Sequence, residues 1–313
     1  MQQINSKKVN VLGDANVDMI LNLSDKTKIS DPKLFSGGSS ANVATGLAKL
    51  GIPVSFFGSL GNDMYGKHVI NDMKSDGIDI ANVELSEEFN TAMVIGVVEE
   101  NSERHFFIWP PKDGAHNNYI LDQKSKNSLL DCDWLHVSGI SLRFKPIQET
   151  MLEAMEICKE NNKTISFDLN LRIELWGLDE GFKETVLQAI SYSTYILGNL
   201  DEEFKVLFNT EEDMLSQNFD RDQVIVCRKN DKGAIGISNN VKVFSKAFPI
   251  KPIDSVGAGD AFNSGFIYST LIGNDLQKSL EIGNLVAAYK LLGSGARHLP
   301  NNEELVKFSN EFR

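Results

Sequence analysis

The second half of the chain alternates short apolar runs with longer segments whose apolar residues recur at helical spacing, and this alternation constrains the fold most. The runs predict strands at 135–137, 164–167, 195–197 and 224–227, with helices near 147–159, 181–190 and 200–208. Strands joined through helices pair in parallel, because a parallel pair needs a long crossover connection. The sequence therefore predicts an α/β fold with a mainly parallel sheet.

The first half adds three strands and two helices to this pattern. Apolar or alternating runs predict strands at 9–12, 17–23 and 54–57, and a helix follows the glycine pair at Gly37 and Gly38. Gly61 to Lys67 has the glycine and lysine spacing of a phosphate-binding loop. The next residue is His68, however, where such a loop needs a Ser or Thr for magnesium. We therefore interpret this stretch as the capped start of a helix over 65–74.

Two β-prone segments, 91–98 and 104–109, flank a polar turn at 99–103 and predict a hairpin. Together with 17–23 they would form a small β lid beside the main sheet. Arg104 would then be a candidate contact for an oxygen-rich substrate, although a solvated hairpin arginine is the alternative interpretation. A lid of this kind also offers a surface for a homodimer.

Composition limits the partners of the chain. The net charge of −12 over 313 residues argues against nucleic acid as a ligand, because that affinity rests on Lys and Arg. No apolar run reaches membrane-spanning length and the first nine residues lack a signal-like apolar stretch, so we expect a cytoplasmic protein without a membrane partner. The three cysteines are scattered, which excludes a disulfide framework. Without a linker or repeat, residues 1–313 are interpreted as one domain.

The stretch from Asp254 to Leu271 carries the strongest chemical signal. A Gly257-Ala258-Gly259 turn leads into Asp260 and then into a helical apolar pattern. Helix N-termini favour anions, and glycines let an anion approach the backbone. A carboxylate beside a phosphate needs a role there, such as accepting a proton from an attacking hydroxyl. The alternative is a tight turn in which Asp260 only caps the helix.

Three further groups of polar residues lie at predicted strand ends or helix starts. Asp14, Asn16 and Asp18 could bind hydroxyl groups or simply form an Asx-rich turn. Asn42 lies in the first turn of the helix after the glycine pair, which Ser39 or Ser40 could cap. Ligands bind at the carboxyl ends of the strands in a parallel sheet. The polar segments 168–172 and 199–202 each follow a predicted strand and so lie at such an end.

Asn199 and Glu202 admit two interpretations. An amide and a carboxylate at the start of a helix could hold hydrated magnesium or orient its waters. Asn is also a good N-cap residue and Glu a good residue three positions later, so a plain capping arrangement remains open.

Taken together, these motifs resemble the ribokinase and phosphofructokinase B family of sugar kinases. The matching segments are Asp254-Ser255-x-Gly257-Ala258-Gly259-Asp260, Gly37-Gly38-x-x-x-Asn42 and Asn199-x-x-Glu202, and they fall in the family's order over nearly the whole chain. The resemblance implies a three-layer α/β/α ribokinase-like core with a small β lid. It also implies ATP-dependent phosphorylation of a sugar hydroxyl.

Carried over residue by residue, the resemblance assigns roles to specific positions. Asp260 is the implied catalytic base, with an anion hole from the N–H groups of the turn before it. The implied sites are the anion hole (Gly257, Ala258, Gly259), the sugar pocket (Asp14, Asn16, Asp18, Gly37, Gly38, Asn42, Arg104, Arg172), the nucleotide site (Asn199, Arg228, Gly233, Asn284), magnesium (Asn199, Glu202) and a monovalent cation such as potassium (Asp254, Ser255).

Local motifs suggest a branch of the family. The segments 13–18 and 167–176 are similar to fructokinases and aminoimidazole riboside kinases, whereas 106–109 and 135–142 are similar to 2-keto-3-deoxygluconate kinases. The segment from Cys227 to Gly233 departs from the usual Thr-x-Gly-x-x-Gly nucleotide loop by lacking the first glycine and being one residue longer.

We therefore expect an ATP-dependent kinase that phosphorylates a primary hydroxyl of a ketohexose, with fructokinase as the leading hypothesis. The alternatives are a 2-keto-3-deoxygluconate kinase, an aminoimidazole riboside or nucleoside kinase, and a non-catalytic sugar sensor. The presence of Asp260 argues against the sensor, because binding alone needs no base.

Overall fold

A computed structural model describes residues 7–25, 28–29, 32–98, 104–110, 112–239 and 241–312. For 22–25, 28–29, 98 and 104–106 it describes the backbone alone. The polar turn predicted at 99–103 lies outside the described residues.

The strands are numbered along the chain. They are β1 (Val9–Leu12), β2 (Asn16–Asp25), β3 (Lys28–Ile29), β4 (Lys33–Gly37), β5 (Val54–Gly61), β6 (Asp79–Ser86), β7 (Met93–Val98), β8 (Arg104–Trp109), β9 (Trp134–Ser138), β10 (Thr164–Asp168), β11 (Tyr195–Asn199), β12 (Val224–Arg228), β13 (Gly233–Ser238) and β14 (Val241–Lys246).

The α-helices are numbered in the same way. They are α1 (Ser39–Lys49), α2 (Met64–Ser75), α3 (Gln123–Leu130), α4 (Ile147–Glu160), α5 (Ile173–Trp176), α6 (Glu180–Tyr192), α7 (Lys205–Phe208), α8 (Ala258–Leu271), α9 (Leu276–Leu291) and α10 (Asn302–Ser309). No helix in the described part of the chain is long and apolar enough to cross a membrane.

The main sheet has nine strands over the described ranges, in the order β14-β13-β12-β11-β10-β9-β1-β5-β6. In this spatial order, every neighbouring pair from β12 through β1 to β6 is parallel. At the other edge, β13 is antiparallel to both β12 and β14. The parallel strands are connected largely through helices, whereas the antiparallel pair is joined by short turns. The predicted mainly parallel α/β fold is confirmed.

Helices cover both faces of this sheet. In β1, Leu12 belongs to the core shared with α4 and α6, whereas Val9 and Val11 belong to the core shared with α1, α2 and α8. Successive side chains of a strand point to opposite faces, so the fully buried strand β1 contributes to two cores at once. This arrangement is the three-layer α/β/α core that the sequence predicts.

A second sheet forms the lid. Its five described strands include β3-β2-β7-β8 in order, and β4 also pairs with β2. β7 and β8 form the predicted hairpin, and β7 pairs with β2 as expected. The pairing of β7 with β2 is parallel, with Val17 opposite Met93. Only Gly13, Asp14 and Ala15 separate β1 from β2. The lid therefore begins at the carboxyl end of the main sheet.

Some elements were not predicted, and the reasons are physical. β6 is an edge strand with several exposed residues, and α3 is mostly polar, so neither has a strong apolar pattern. β4 likewise begins with exposed residues. The helix predicted over 200–208 starts as a π-helical turn at Leu200–Phe204 and continues as α7. The helix predicted at 65–74 is confirmed as α2, and the side chain of Asp63 caps it.

Close packing brings α1 against α8. A Cβ atom on Gly46 of α1 would lie 2.3 Å from the Oγ of Ser264 in α8. A Cβ atom on Gly265 would lie 2.8 Å from Cγ2 of Val286 in α9. The glycines therefore let α1, α8 and α9 approach closely, because the side chains of Ser264 and Val286 pack directly against the glycine backbone.

This contact predicts that Gly46→Ala destabilises the protein by about 1–3 kcal/mol, because the added methyl group overpacks the interface between α1 and α8. Gly181→Ala is a matched control: its Cβ meets nothing closer than 3.5 Å and it also lies in a helix, so it should be neutral or stabilise by about 0.5–1 kcal/mol. Urea unfolding measures both effects. Equal stabilities of the two variants would contradict this account of the packing.

Candidate active site

The N-terminus of α8 lies at the centre of the site. Its N-cap residue, Gly257, adopts a left-handed conformation with φ 78°, and no side chain within the described ranges caps the helix. Asp260 lies in the first turn. A helix start without a capping side chain presents backbone N–H groups and a partial positive charge, which suit a phosphate group.

The carboxylate of Asp260 is held by two residues of α1. Ser39 Oγ donates to Asp260 Oδ1 at 2.8 Å, and Asn42 Nδ2 donates to Oδ2 at 2.8 Å. Burial raises the pKa of Asp260 to about 6, against the lowering effect of these two hydrogen bonds. The predicted base thus has a fixed orientation and a pKa closer to neutrality, as proton transfer requires.

Asp14 orders the start of α1. Its Oδ2 accepts from the N–H of Ser39 at 2.8 Å, and its Oδ1 accepts from the N–H of Ser40 at 3.0 Å and from Ser40 Oγ at 2.9 Å. The sequence-based prediction that Ser39 or Ser40 caps this helix is wrong: the N-cap residue is Gly38, and the capping carboxylate comes from Asp14. Because Asp14 satisfies the backbone N–H groups, the hydroxyl of Ser39 is available for a contact outside the helix start.

The predicted glycine pair allows two chain segments to touch. Gly38 has φ 97°, and a Cβ there would lie 2.6 Å from backbone atoms of Asp14 and Ala15. A Cβ on Gly37 would lie 2.5 Å from the carboxyl group of Asp18. Any larger residue would push the start of α1 away from the segment that carries the predicted sugar-binding carboxylates.

Asp18, on the lid strand β2, forms the second part of the site with Asn16. Asn16 Nδ2 donates to Asp18 Oδ1 at 2.8 Å. Burial raises the pKa of Asp18 to about 6, while the bond from Asn16 and the charge of Arg297 act in the opposite direction. The two neighbouring polar residues predicted at the strand start are therefore brought together in the structure.

Arg297 was missed by the sequence reasoning. Its Nε donates to Asn42 Oδ1 at 3.3 Å, and its Nη2 donates to the carbonyl oxygen of Gly37 at 3.1 Å. Its buried Nη1 has no hydrogen-bond partner within the described part of the protein. Local sequence contains no signal for this role, because the partners lie more than 250 positions away.

Arg228 lies beside the first turn of α8. Its Nη2 donates to Asp168 Oδ1 at 2.8 Å, and its Nη1 donates to Asn263 Oδ1 at 2.6 Å. A Cβ on Gly259 would lie 3.6 Å from its guanidinium carbon. The structure thus places this predicted nucleotide-binding residue next to the predicted anion hole.

The segments that follow β10 and β11 lie next to each other at the carboxyl edge of the sheet. Glu203, which sequence reasoning also missed, accepts from the N–H of Leu171 and of Asn199, each at 2.7 Å. Burial raises the pKa of Glu203 to about 7. Asn170 Nδ2 donates to Ser138 Oγ at 3.0 Å, and Ser138 Oγ donates to Ser39 Oγ at 3.4 Å. These bonds connect the loop after β10 to the residue that holds Asp260.

Asn199 caps the helical turn that follows it. Its Oδ1 accepts from the N–H of Asp201 at 3.0 Å and of Glu202 at 3.1 Å, and its Nδ2 donates to Asn230 Oδ1 at 3.0 Å. The capping interpretation is therefore confirmed. The side chain of Glu202 is exposed, and its role toward magnesium stays a prediction.

The segment from Cys227 to Gly233 lacks the first glycine of the usual nucleotide loop, and an asparagine in this segment adopts a positive φ. Asn230 has φ 52°, a left-handed conformation that Asn tolerates better than most residues. Gly233 starts β13 with φ 113°. Asn284 lies on α9, where its Nδ2 donates to the carbonyl oxygen of Ser245 at 3.0 Å and so joins the helix to β14.

Arg104 and Arg172 are the two arginines predicted to face the substrate, and the structure describes the side chain of Arg172 alone. Arg172 has φ 48° and a side chain that is 48% exposed, 3.9 Å from Glu174. Arg104 begins β8, but its side chain lies outside the described part of the structure.

The predicted cation loop precedes α8. Asp254 Oδ1 accepts from the N–H of Val256 at 3.1 Å, and its Oδ2 accepts from the N–H of Gly295 at 2.9 Å. Ser255 is exposed. The carboxylate thus ties this loop to the turn after α9.

A carboxylate with a raised pKa, a helix N-terminus and polar side chains on the lid strand together fit a phosphotransferase site with an alcohol as acceptor. Residues 6–303 match the pfkB family carbohydrate kinase, and the chain belongs to this family.

Named relatives agree with this class. The chain is 28% identical over 291 residues to 5-dehydro-2-deoxygluconokinase of Clostridium beijerinckii, covering 89% of this chain and 85% of the relative. It is 28% identical to fructokinase of Salmonella typhimurium, with 84% of each chain covered. A double mutant of Vibrio cholerae fructokinase, solved with fructose, ADP and potassium ion bound, superposes with a TM-score of 0.82 at 27% identity, covering 97% of this chain and 98% of that one.

The raised pKa values predict how activity depends on pH. Asp260 must be ionised to accept a proton, so kcat/KM should fall as the pH decreases through about 6. Because Asp18 has its pKa in the same range, the logarithmic plot should approach a slope of about two on the acid side. The Asp18→Asn variant should give a slope of about one, since Asp260 then titrates alone. A flat profile down to about pH 4.5, near the ordinary range for a carboxyl group, would contradict the assignment.

Proposed function

We propose that the chain transfers the γ-phosphoryl group of ATP to a primary hydroxyl of a six-carbon keto sugar, with fructose as the first candidate. The observation that supports this most is the carboxylate of Asp260, held at the α8 N-terminus by Ser39 and Asn42. The named relatives act on keto sugars or their acids as far as their names state, and fructose is bound in the Vibrio cholerae structure.

In this proposal Asp260 accepts the proton of the attacking sugar hydroxyl. The bond from the hydroxyl oxygen to the γ-phosphorus forms as the bond from that phosphorus to the β,γ-bridging oxygen of ATP breaks, and ADP leaves. The N–H groups from Gly257 to Asp260 stabilise the charge on the transferred group, and the guanidinium of Arg228 adds a positive charge beside them. Asp18 and Asn16 would orient the sugar hydroxyls, because a carboxylate accepts and an amide both accepts and donates.

Magnesium and the nucleotide would be held at the ends of β11 and β12. Across the described ranges, no group of three or more His, Cys, Asp or Glu side chains is placed to hold a metal ion. Mg²⁺ commonly keeps several waters and binds phosphate oxygens, so the exposed carboxylate of Glu202 fits a role through water. Bound magnesium would neutralise charge on the phosphates. The sequence resemblance supports three further residues at the nucleotide site, namely Asn199, Gly233 and Asn284.

A keto-sugar acid is the second candidate substrate, and Arg172 is the observation that favours it. Its half-exposed guanidinium follows β10 at the carboxyl edge of the sheet, where a substrate carboxylate would find a bidentate partner. The relative from Clostridium beijerinckii is named for an acid of this kind.

A coupled assay of ADP release tests both candidates. The panel consists of fructose, 2-keto-3-deoxygluconate, 5-dehydro-2-deoxygluconate, ribose and nucleosides, each assayed with wild type and Arg172→Met. We expect a keto sugar or its acid to be used best. If the acid is the substrate, Arg172→Met should raise its KM by about tenfold or more and leave fructose unaffected, because a charge-assisted pair is worth about 1.5–3 kcal/mol. Turnover of nucleosides alone would refute the proposal.

Two variants are controls for the chemistry of that assay. Asp260→Asn should keep sugar affinity within a few-fold but lower turnover by about a hundredfold or more, as expected for the loss of a general base. Asp18→Ala should instead raise the KM for the sugar. If the protein were a sensor, the wild type would bind sugar without releasing ADP. Near-normal turnover of Asp260→Asn would exclude Asp260 as the base.

We also propose a homodimer formed through the lid. Phe107 and Trp109 on β8 are 58% and 67% exposed, and large apolar side chains close together on a surface favour a protein contact. Sedimentation of the wild type should give the mass of two chains. The double variant Phe107→Ser/Trp109→Ser should give one, whereas a single-chain wild type would refute the dimer.

A further inference from the structure

A lysine is completely buried at the end of α9, next to the loop that leads into the active site. Lys290 is 0% exposed. Its Nζ donates to the carbonyl oxygen of Asp254 at 2.6 Å and lies 4.0 Å from Asp254 Oδ2. Lysine is almost never fully buried unless it is paired, so this position calls for a function of the charge.

These two oxygens belong to Asp254, in the loop for which the sequence resemblance implies a monovalent cation at Asp254 and Ser255. A monovalent cation and an ammonium group need the same partners, namely carbonyl and carboxylate oxygens. Lys290 takes the carbonyl oxygen of Asp254 and approaches its carboxylate. The loop therefore does not fit a separate cation at that carbonyl, since a second positive charge at this distance is repelled.

The same contacts connect the lysine to the start of α8. The carboxylate of Asp254 accepts from the N–H of Val256 and of Gly295, and a Cβ on Gly257 would lie 2.7 Å from the Cβ of Ala296. Two loops, 253–257 and 293–297, are thereby packed together around one carboxylate. A positive charge beneath them holds the turn from which the anion hole is built.

We propose that the ammonium group of Lys290 replaces the monovalent cation, so that the active site of this chain is organised without potassium. The inference rests on the proposed kinase function, within which Lys290 is a positioning residue: it acts through Asp254 and the Gly257 turn. Its charge is covalently attached to α9 and cannot be lost by dilution.

The experiment compares wild type with Lys290→Ala and Lys290→Met in potassium chloride and in tetramethylammonium chloride at equal ionic strength. Alanine removes the charge and leaves space for an ion, whereas methionine removes the charge and fills the space. Wild-type turnover should be the same in both salts within about twofold. Lys290→Ala should lose about tenfold or more in tetramethylammonium, as for other losses of transition-state stabilisation.

Adding potassium or ammonium should restore the activity of Lys290→Ala, and it should leave the turnover of Lys290→Met at its reduced level. A structural role of the lysine side chain alone would not produce this difference between two uncharged residues. Wild-type activity that needs potassium, or an alanine variant that neither ion restores, would overturn the proposal.

Thermal unfolding gives a readout that needs no substrate. Potassium should raise the midpoint of Lys290→Ala by about 2 °C or more through binding to the folded state, and leave the wild type and Lys290→Met unchanged. If the proposed kinase reaction failed for every sugar, these midpoints would still test the cation replacement. If neither variant folded, a wild-type midpoint that rises with potassium but not with sodium would refute it.

Discussion

The interaction on which the site depends is the contact of α1 with α8 through the carboxylate of Asp260. Ser39 and Asn42 hold its two oxygens, although they lie more than 200 positions away in the sequence. The contact requires Asp14 to cap α1, Gly38 to adopt a positive φ, and Gly46 to let the helices approach. Each of these features serves the placement of one carboxylate, the proposed proton acceptor, so the fold and the proposed chemistry share the same contacts.

At the carboxyl edge of the sheet, carboxylates lie close to guanidinium groups in two places. The carboxylates of Asp168 and Glu203 lie close to Arg228, whereas Asp18 lies within the field of Arg297. Buried carboxylates raise one another's pKa, and buried guanidinium groups lower them. Burial raises the pKa of Asp260 and of Asp18 to about 6, and the hydrogen bonds from their neighbours act in the opposite direction. The two guanidinium groups partly offset the charge of the carboxylates around them.

The sequence predicted what depends on local pattern. The parallel sheet followed from apolar runs separated by helices, and the start of α8 followed from the turn at Gly257 to Gly259. Residues whose roles arise from distant contacts were missed or reinterpreted: Arg297 and Glu203 have no local motif, and Asp14 caps a helix that begins beyond the lid strands. Edge elements such as β6 were missed because half-exposed strands have weak apolar periodicity. Lys290 could not be distinguished from an ordinary lysine near a helix C-terminus, since its burial is a property of tertiary packing.

The short connection between β1 and β2 has a consequence for the timing of the reaction. Three residues join the rigid core to the lid strand that bears Asp18, whereas Asp260 belongs to the core. A sugar that contacts both carboxylates would fasten the lid to the core at the moment it binds. Water would then be displaced from the reacting phosphate only when an acceptor is present. In the proposed reaction, the connectivity of the chain would thereby suppress futile hydrolysis of the nucleotide.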